Sequence, residues 1–245
     1  MMLHHNGTLT QADGTRTDWR VLHAAAMDRT LLDRKRPVSL QGPARRSSKR
    51  LFDIAAASLL LALLSPLLLA VTALICRDGG KVLFGHRRIG VRGRTFRCWK
   101  FRSMVPNAEA VLVDVLARDS EARAEWERDF KLRDDPRITP VGRFLRSTSL
   151  DELPQLLNVL AGDMSLVGPR PIVADEVTRY GAAFHDYARC RPGITGIWQV
   201  SGRNDIGYAQ RVQLDQQYAR NWSFTADLAV LLRTPIAVLR RSGAY

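Results

Sequence analysis

From Ile54 to Cys76 the chain runs without a single charge, "IAAASLLLALLSPLLLAVTALIC", and Ser65-Pro66 falls near the middle of the run. A bilayer-spanning helix needs about 20 apolar residues at 1.5 Å each. This run is long enough, and too uniformly apolar to be the amphipathic helix of a soluble core. It is read as a membrane segment, and every other feature has to be placed relative to it.

Its flanks are basic on both sides. Arg45, Arg46, Lys49 and Arg50 precede it; Arg77, Lys81, Arg87, Arg88, Arg92, Arg94 and Arg97 follow. Lys and Arg accumulate on the cytoplasmic side of a membrane, so each flank votes for the same compartment. A straight span leaves one cluster outside, whereas a re-entrant hairpin keeps both inside. Pro66 removes a backbone donor and crowds the carbonyl of Ala62, four residues back, and the Ser65 hydroxyl is placed to satisfy it. A kinked spanning helix remains the alternative, since proline is common in such helices.

The formal charge of +13 and the pI near 10.6 call for an anionic partner. Nucleic acid fits poorly, because aromatics are only 7% and scattered, whereas base stacking needs them clustered. Cys76, Cys98 and Cys190 have no metal-ligand or disulfide spacing and fit a reducing compartment. The first residues are polar rather than basic then apolar, so no cleavable signal peptide is expected. Residues 1–47 are predicted to be a largely disordered basic tail, drawn at its end to anionic lipid. His4-His5 is read as part of that tail.

After the apolar run, Val82–Phe84 and Thr95–Phe101 have strand character, with glycines 85, 90 and 93 marking turns. They predict a small Arg-rich β-hairpin sheet facing lipid or phosphate. Residues 107–131 read as a charge-mixed solvated helix. "TPVGRFLRST" reads as a short helix with Thr139 as N-cap and Pro140 at N1, from which Arg143 and Arg146 project.

In "STSLDELPQLLNVLAGDMSLVGPRP", Leu153, Leu156, Leu157 and Leu160 follow the i, i+3, i+4, i+7 pattern of a buried helical stripe. Pro154 is tolerated only in a first turn, so the helix is predicted to begin near Asp151 and to end at Gly162. Asp151 and Glu152 then sit at a helix N-terminus, either as capping residues or as a site. Two adjacent carboxylates among arginines suit Mg²⁺ with a phosphorylated substrate. Residues 189–204 form a Gly/Pro-punctuated loop with Trp198 and Arg203. The last stretch, "TADLAVLLRTPIAVLRR", reads as a helix on the membrane surface or a buried C-terminal helix.

Three blocks, "KFRSM" (100–104), "DPRITPVGRFLRSTSLDELPQLLNVLAGDMSLVGPRP" (135–171) and "RPGITGIWQVSGRN" (191–204), resemble the bacterial sugar transferases. These are monotopic phosphoglycosyl transferases of exopolysaccharide and O-antigen assembly. The likeness runs from about Lys49 to Tyr245. It implies a compact form on the cytoplasmic face of the bacterial inner membrane, without the extra N-terminal membrane domain of larger members.

The resemblance implies transfer of a hexose 1-phosphate from a UDP-sugar to undecaprenyl phosphate. UMP is released, Mg²⁺ is the cofactor, and a covalent phosphosugar–aspartate forms on the way. Asp151 would be the nucleophile and Glu152 its partner, holding the metal or helping proton transfer, with both as candidate metal ligands. Arg146, Arg170 and Arg203, with Lys100 and Arg102, would bind phosphate and nucleotide; Asp163 would be structural or join the metal shell. Ser65-Pro66 would be the membrane turn. His86, where many members carry Gln, is similar to the galactose-1-phosphate branch, so UDP-galactose is favoured over UDP-glucose.

The expected fold class is α+β and predominantly helical. A tail over 1–47 leads to a re-entrant helix over 48–78 and a membrane-associated cytoplasmic catalytic domain over 79–245, ending in an interfacial helix. Anionic lipid is an expected partner, and a homo-oligomer is compatible with the sequence. The rival reading is a non-catalytic basic membrane-anchored binding or scaffold protein of polysaccharide assembly.

Overall fold

The computed structural model describes residues 8–10, 16–18, 43–77, 79–129, 132–201 and 207–239. The expected tail therefore lies largely outside the described residues, apart from strands β1 (Thr8–Thr10) and β2 (Arg16–Asp18), an antiparallel pair, and the start of the first helix. The described chain is predominantly helical, with three small two-stranded sheets.

Helix α1 runs unbroken from Pro43 to Cys76, with Pro66 inside it. Ser65-Pro66 thus does not end the helix. The carbonyl of Ala62, which loses its helical donor at Pro66, instead accepts a hydrogen bond from the Ser65 hydroxyl at 2.8 Å. By length and composition α1 is able to cross a membrane, with mean hydropathy 2.6 and 11% burial over its apolar window. Leu59, Leu63 and Leu69 project outward from its middle.

Both ends of α1 are nevertheless held by the same body. At the start, Lys49 donates to Asp227 Oδ2 (2.5 Å) and to the carbonyl of Val167 (3.2 Å). Arg50 donates to the carbonyls of Val159 and Leu160, and Asp53 accepts from Ser165 Oγ and the Leu166 amide. At the far end, Val71 and Ile75 bury against Phe101 and Leu145, while Arg102 Nη2 donates to the carbonyl of Ile75 (3.1 Å).

The expected hairpin forms as β3 (Leu83–Ile89) and β4 (Thr95–Phe101), antiparallel, with Leu83 opposite Phe101 and Ile89 opposite Thr95. β3 is longer than the sequence suggested, because Gly85 pairs within the strand instead of turning; its missing side chain makes room for the Trp99 ring. The predicted helix over 107–131 is two helices, α2 (Ala108–Arg118) and α3 (Ser120–Asp129). The Asp119 carboxylate accepts from the amides of Glu121 and Ala122, so the chain restarts a helix where the charge pattern showed no break.

Helix α4 (Pro140–Ser147) starts as expected, with Thr139 Oγ1 accepting from the Gly142 amide at 2.9 Å. A Cβ at Gly142 would strike the backbone carbonyl of Ser103, so the glycine lets α4 lie directly on the end of β4. The next helix, α5 (Gln155–Ala161), begins later than predicted. Asp151 and Glu152 lie before it in a 3₁₀ turn, Leu150–Glu152, and Pro154 occupies the N-cap position. Gly162, with φ +90°, ends α5 as expected.

β5 (Ser165–Val167) and β6 (Gly193–Thr195) pair in parallel. Between them lie α6 (Glu176–Tyr180) and α7 (Phe184–Tyr187). α8 (Ile197–Ser201), α9 (Tyr208–Arg220) and α10 (Phe224–Leu239) complete the chain. The main core joins α1, α5, β5, α9 and α10 around Ala57, Leu156, Val159, Met164, Leu166 and Tyr218. α10 buries Asp227 and Val230 but leaves Leu228, Leu232, Ile236 and Leu239 exposed.

Candidate active site

β4 delivers Lys100 to the start of the site, and α4 delivers Arg146. Between α4 and α5 the chain turns through Ser149, a non-glycine residue at φ 57°, ψ 16°. Such a left-handed residue costs of order 1–3 kcal/mol and persists only where the surroundings enforce it. Here it reverses the chain so that the 3₁₀ turn presents Asp151 and Glu152 to β4.

Lys100 Nζ lies 2.6 Å from Glu152 Oε1 and 3.5 Å from Asp151 Oδ2. The Asp151 side chain is 11% exposed and that of Glu152 36%. Burial pushes the Asp151 carboxyl above the usual range; Lys100 and Arg146 oppose this and Glu152 adds to it. Burial acts upward on Glu152 too, but Lys100, by charge and hydrogen bond, outweighs it with help from Arg170 and Arg88. Glu152 is therefore held below the ordinary glutamate value. Lys100 is held above its own ordinary value, since the two carboxylates outweigh the effect of burial.

Asn158 fixes this geometry. Buried in α5, it accepts from the Trp99 amide (2.9 Å) and donates to the carbonyl of Arg97 (2.7 Å), tying α5 to β4 one residue from Lys100. Arg146 is steered by a hydrogen bond from its Nε to Ser103 Oγ at 2.9 Å. Arg170 reaches the same space from the β5 side, with its guanidinium 5.5 Å from the Trp198 ring. The approach of β5 to β6 depends on small residues: a Cβ on Gly168 or Gly193 would meet the other strand's backbone.

These groups line one cleft of about 1060 Å³. Its charged lining includes Lys100, Arg146, Asp151, Glu152 and Arg170. Its apolar lining comes from Leu60 and Leu64 of α1, Phe84 of β3, and Leu231, Val238 and Leu239 of α10, beside polar side chains such as Thr195, Gln199 and Thr234. The charged groups suit an anionic ligand and the leucines and Phe84 suit hydrocarbon.

Arg102 borders the cleft, but its guanidinium donates to the carbonyls of Lys81, Met104 and Ile75, the work of a structural clamp. Arg203 lies outside the described residues. Asp163 sits across α5 from the pair, accepting from Asn158 Nδ2 at 3.3 Å. Among the described residues, no third histidine, cysteine or carboxylate joins Asp151 and Glu152 in a metal-binding group. The two carboxylates alone fit Mg²⁺, which takes one or two from a protein and completes its shell with water and phosphate oxygens.

Sequence reasoning did not single out Arg88, Ser103 or Asn158. Arg88 lines the cleft and donates to the carbonyl of Pro171 (3.1 Å), yet in the sequence it was one flanking cation among seven. His86 lies between Phe84 and Arg88 on β3 and by strand alternation shares their face.

Residues 44–241 match the model of the bacterial sugar transferase family. The chain is 56% identical over 205 residues to the undecaprenyl-phosphate galactose phosphotransferase of Salmonella typhimurium; this covers 82% of the chain and 43% of that relative. It is 52% identical to the exopolysaccharide production protein ExoY of Sinorhizobium fredii, covering 81% of the chain and 88% of the relative. It is also 41% identical to the UDP-glucose:undecaprenyl-phosphate glucose-1-phosphate transferase of Caulobacter vibrioides, covering 80% and 72%. The chain thus spans less than half the length of the Salmonella protein.

Proposed function

The chain belongs to the bacterial sugar transferase family, and on that premise we propose that it transfers a hexose 1-phosphate from a UDP-sugar to a polyprenyl phosphate, releasing UMP. The observation that carries this reading is the cleft's mixed lining of charged and apolar groups. A carboxylate pair among cations accepts the phosphates, and the apolar wall from α1 and α10 accepts an isoprenoid chain. A soluble and a membrane-borne substrate can then use the same carboxylate in turn. A scaffold or binding protein has no need of a buried Asp151 beside Lys100 and Arg146.

In the first step a carboxylate oxygen of Asp151 attacks the β-phosphorus. The bond from that phosphorus to the oxygen bridging to the α-phosphate breaks, and the electron pair leaves with UMP. In the second, a phosphate oxygen of the polyprenyl phosphate attacks the same phosphorus and the bond to Asp151 breaks, restoring the carboxylate. No net proton transfer is required. Lys100 opposes protonation of both carboxylates, and Arg146 and Arg170 face the charge that spreads over the phosphoryl oxygens. Mg²⁺, held by Asp151 and Glu152, would supply further neutralisation of those oxygens when bound.

The seating of both ends of α1 on one body supports a monotopic arrangement on the cytoplasmic face. The exposed leucines at mid-helix enter the bilayer, and both basic flanks stay on one side. The names of the Salmonella and Caulobacter relatives favour galactose or glucose, and His86 tilts the choice to galactose. Purified chain offered UDP-galactose, UDP-glucose and the N-acetylated UDP-sugars with undecaprenyl phosphate tests this. Fastest UMP release with UDP-galactose is expected, and no release from any of the donors would contradict the reading.

A further inference from the structure

A second cavity, of about 1160 Å³, takes in the C-terminal end of α5, whereas the Asp151 cleft takes in its start. It is enclosed by the first turns of α1, the β3–β4 hairpin tip, and the chain segments around Gly162 and Cys190. Six cations line it, Lys49, Arg50, Arg92, Arg94, Arg189 and Arg191, against two carboxylates, Asp53 and Asp163. Both carboxylates are engaged, Asp53 with Ser165 and Leu166 and Asp163 with Asn158. Lys49 is paired with Asp227, and Arg50 and Arg191 donate to backbone carbonyls, yet the cations of the lining still outnumber its carboxylates.

The catalytic cycle proposed above does not use this cavity, yet the fold spends conformational energy to shape it. Arg92 sits at φ 58°, ψ 25°, the left-handed region that glycine would adopt freely, while its amide donates to the carbonyl of Ala188 (2.6 Å). A glycine here would satisfy the turn; the arginine puts a cation at the mouth. Arg94 is exposed beside it. Apolar residues of the wall include Leu51, 70% exposed, and Ile54, both on the helix whose leucine-rich middle projects outward.

We infer that this cavity is a binding site for a phosphoryl group, presented by an anionic membrane phospholipid. The cations would hold the headgroup, while the acyl chains run along Leu51 and Ile54 toward the apolar stretch of α1. Free phosphate offers the same oxygens to Arg92 and Arg94 but leaves the apolar wall uncovered, so the lipid is the better fit. This rests on the membrane seating of α1 proposed above, which flotation of the full chain with neutral phosphatidylcholine vesicles reports separately.

Two measurements test the site. The first is affinity for phosphatidylcholine vesicles with and without phosphatidylglycerol. The gain from phosphatidylglycerol should fall about tenfold in the Arg92→Gly/Arg94→Gln double variant. It should change less than about twofold in Arg118→Gln/Arg123→Gln, which removes the same charge from α2 and α3. Arg92→Gly suits the backbone, so loss of folding does not explain a loss of binding. Equal losses in the two double variants would make the attraction diffuse and overturn the site.

The second is phenylglyoxal modification of arginines, mapped by mass spectrometry. Protection of Arg92 and Arg94 by phosphatidylglycerol vesicles, and neither by phosphatidylcholine vesicles nor by inorganic phosphate, assigns the lipid. Equal protection by inorganic phosphate keeps the phosphoryl site and changes its source. Protection by none of them overturns it.

Discussion

Lys100 stands between the two carboxylates of the candidate site, 2.6 Å from Glu152 and 3.5 Å from Asp151. One ammonium thus contacts a buried carboxylate, the proposed nucleophile, and its neighbour before any substrate arrives. Replacing Lys100 by Met leaves both carboxylates without their closest cation, so the pKa of each rises. The acid limb of the rate–pH profile should move to higher pH, and kcat should fall about 100-fold. Lys100→Arg should recover part of both. An unchanged profile in Lys100→Met would remove Lys100 from the mechanism.

Gly142 gives a stability prediction with a structural cause. A methyl group there meets the carbonyl of Ser103, and α4 must lift from β4. Gly142→Ala should cost about 2–3 kcal/mol, although alanine is the better helix former. It should also lower activity, because Arg146 would lose its seat on Ser103. Denaturant unfolding and UMP release measure the two effects.

Asp215 predicts how stability depends on pH. Burial raises its pKa to about 7, opposed by the hydrogen bond from Tyr180 (2.7 Å) and by Arg211 and Arg170. With a folded pKa above the unfolded one, the folded state binds more protons between about pH 4 and pH 7. Its contribution is therefore most favourable at the acid end and is lost as pH rises to 7. Asp215→Asn, which keeps an acceptor for Tyr180, should melt closer to the parent at pH 5 and several degrees above it at pH 8. The same difference at both pH values would contradict the shift.

Topology follows from the two ends of α1. With Cys76, Cys98 and Cys190 replaced by Ser or Ala, single cysteines placed at Ser48 and at Lys81 should both resist an impermeant thiol reagent added to intact cells and react after lysis. Labelling of one and not the other would restore a spanning helix.

Much of this was legible in the sequence because it is local. The apolar run, the Thr139 cap, the Gly162 stop and the strand Thr95–Phe101 each follow from nearest-neighbour physics. The Ser65 hydroxyl meets the Ala62 carbonyl as proline chemistry requires. What sequence missed depends on partners distant in the chain. The helix carrying the Leu156 stripe starts after Asp151 rather than at it, because Ser149 is held in a left-handed turn that local patterning does not announce. Arg102 reads as a phosphate ligand until its guanidinium is seen donating to Ile75, Lys81 and Met104. Asn158 looks like one polar position on a leucine-rich helix, yet it ties that helix to β4.

The claim on which the rest depends is that Asp151 becomes covalently phosphorylated by the sugar donor. The direct measurement is intact-protein and peptide mass spectrometry of the purified chain, quenched after mixing with UDP-galactose and Mg²⁺ without polyprenyl phosphate. The account predicts a hexose-phosphate adduct on the peptide carrying Asp151, formed with UMP, discharged by added undecaprenyl phosphate, and absent from Asp151→Asn. Parent-rate UMP release by Asp151→Asn with both substrates present would contradict it.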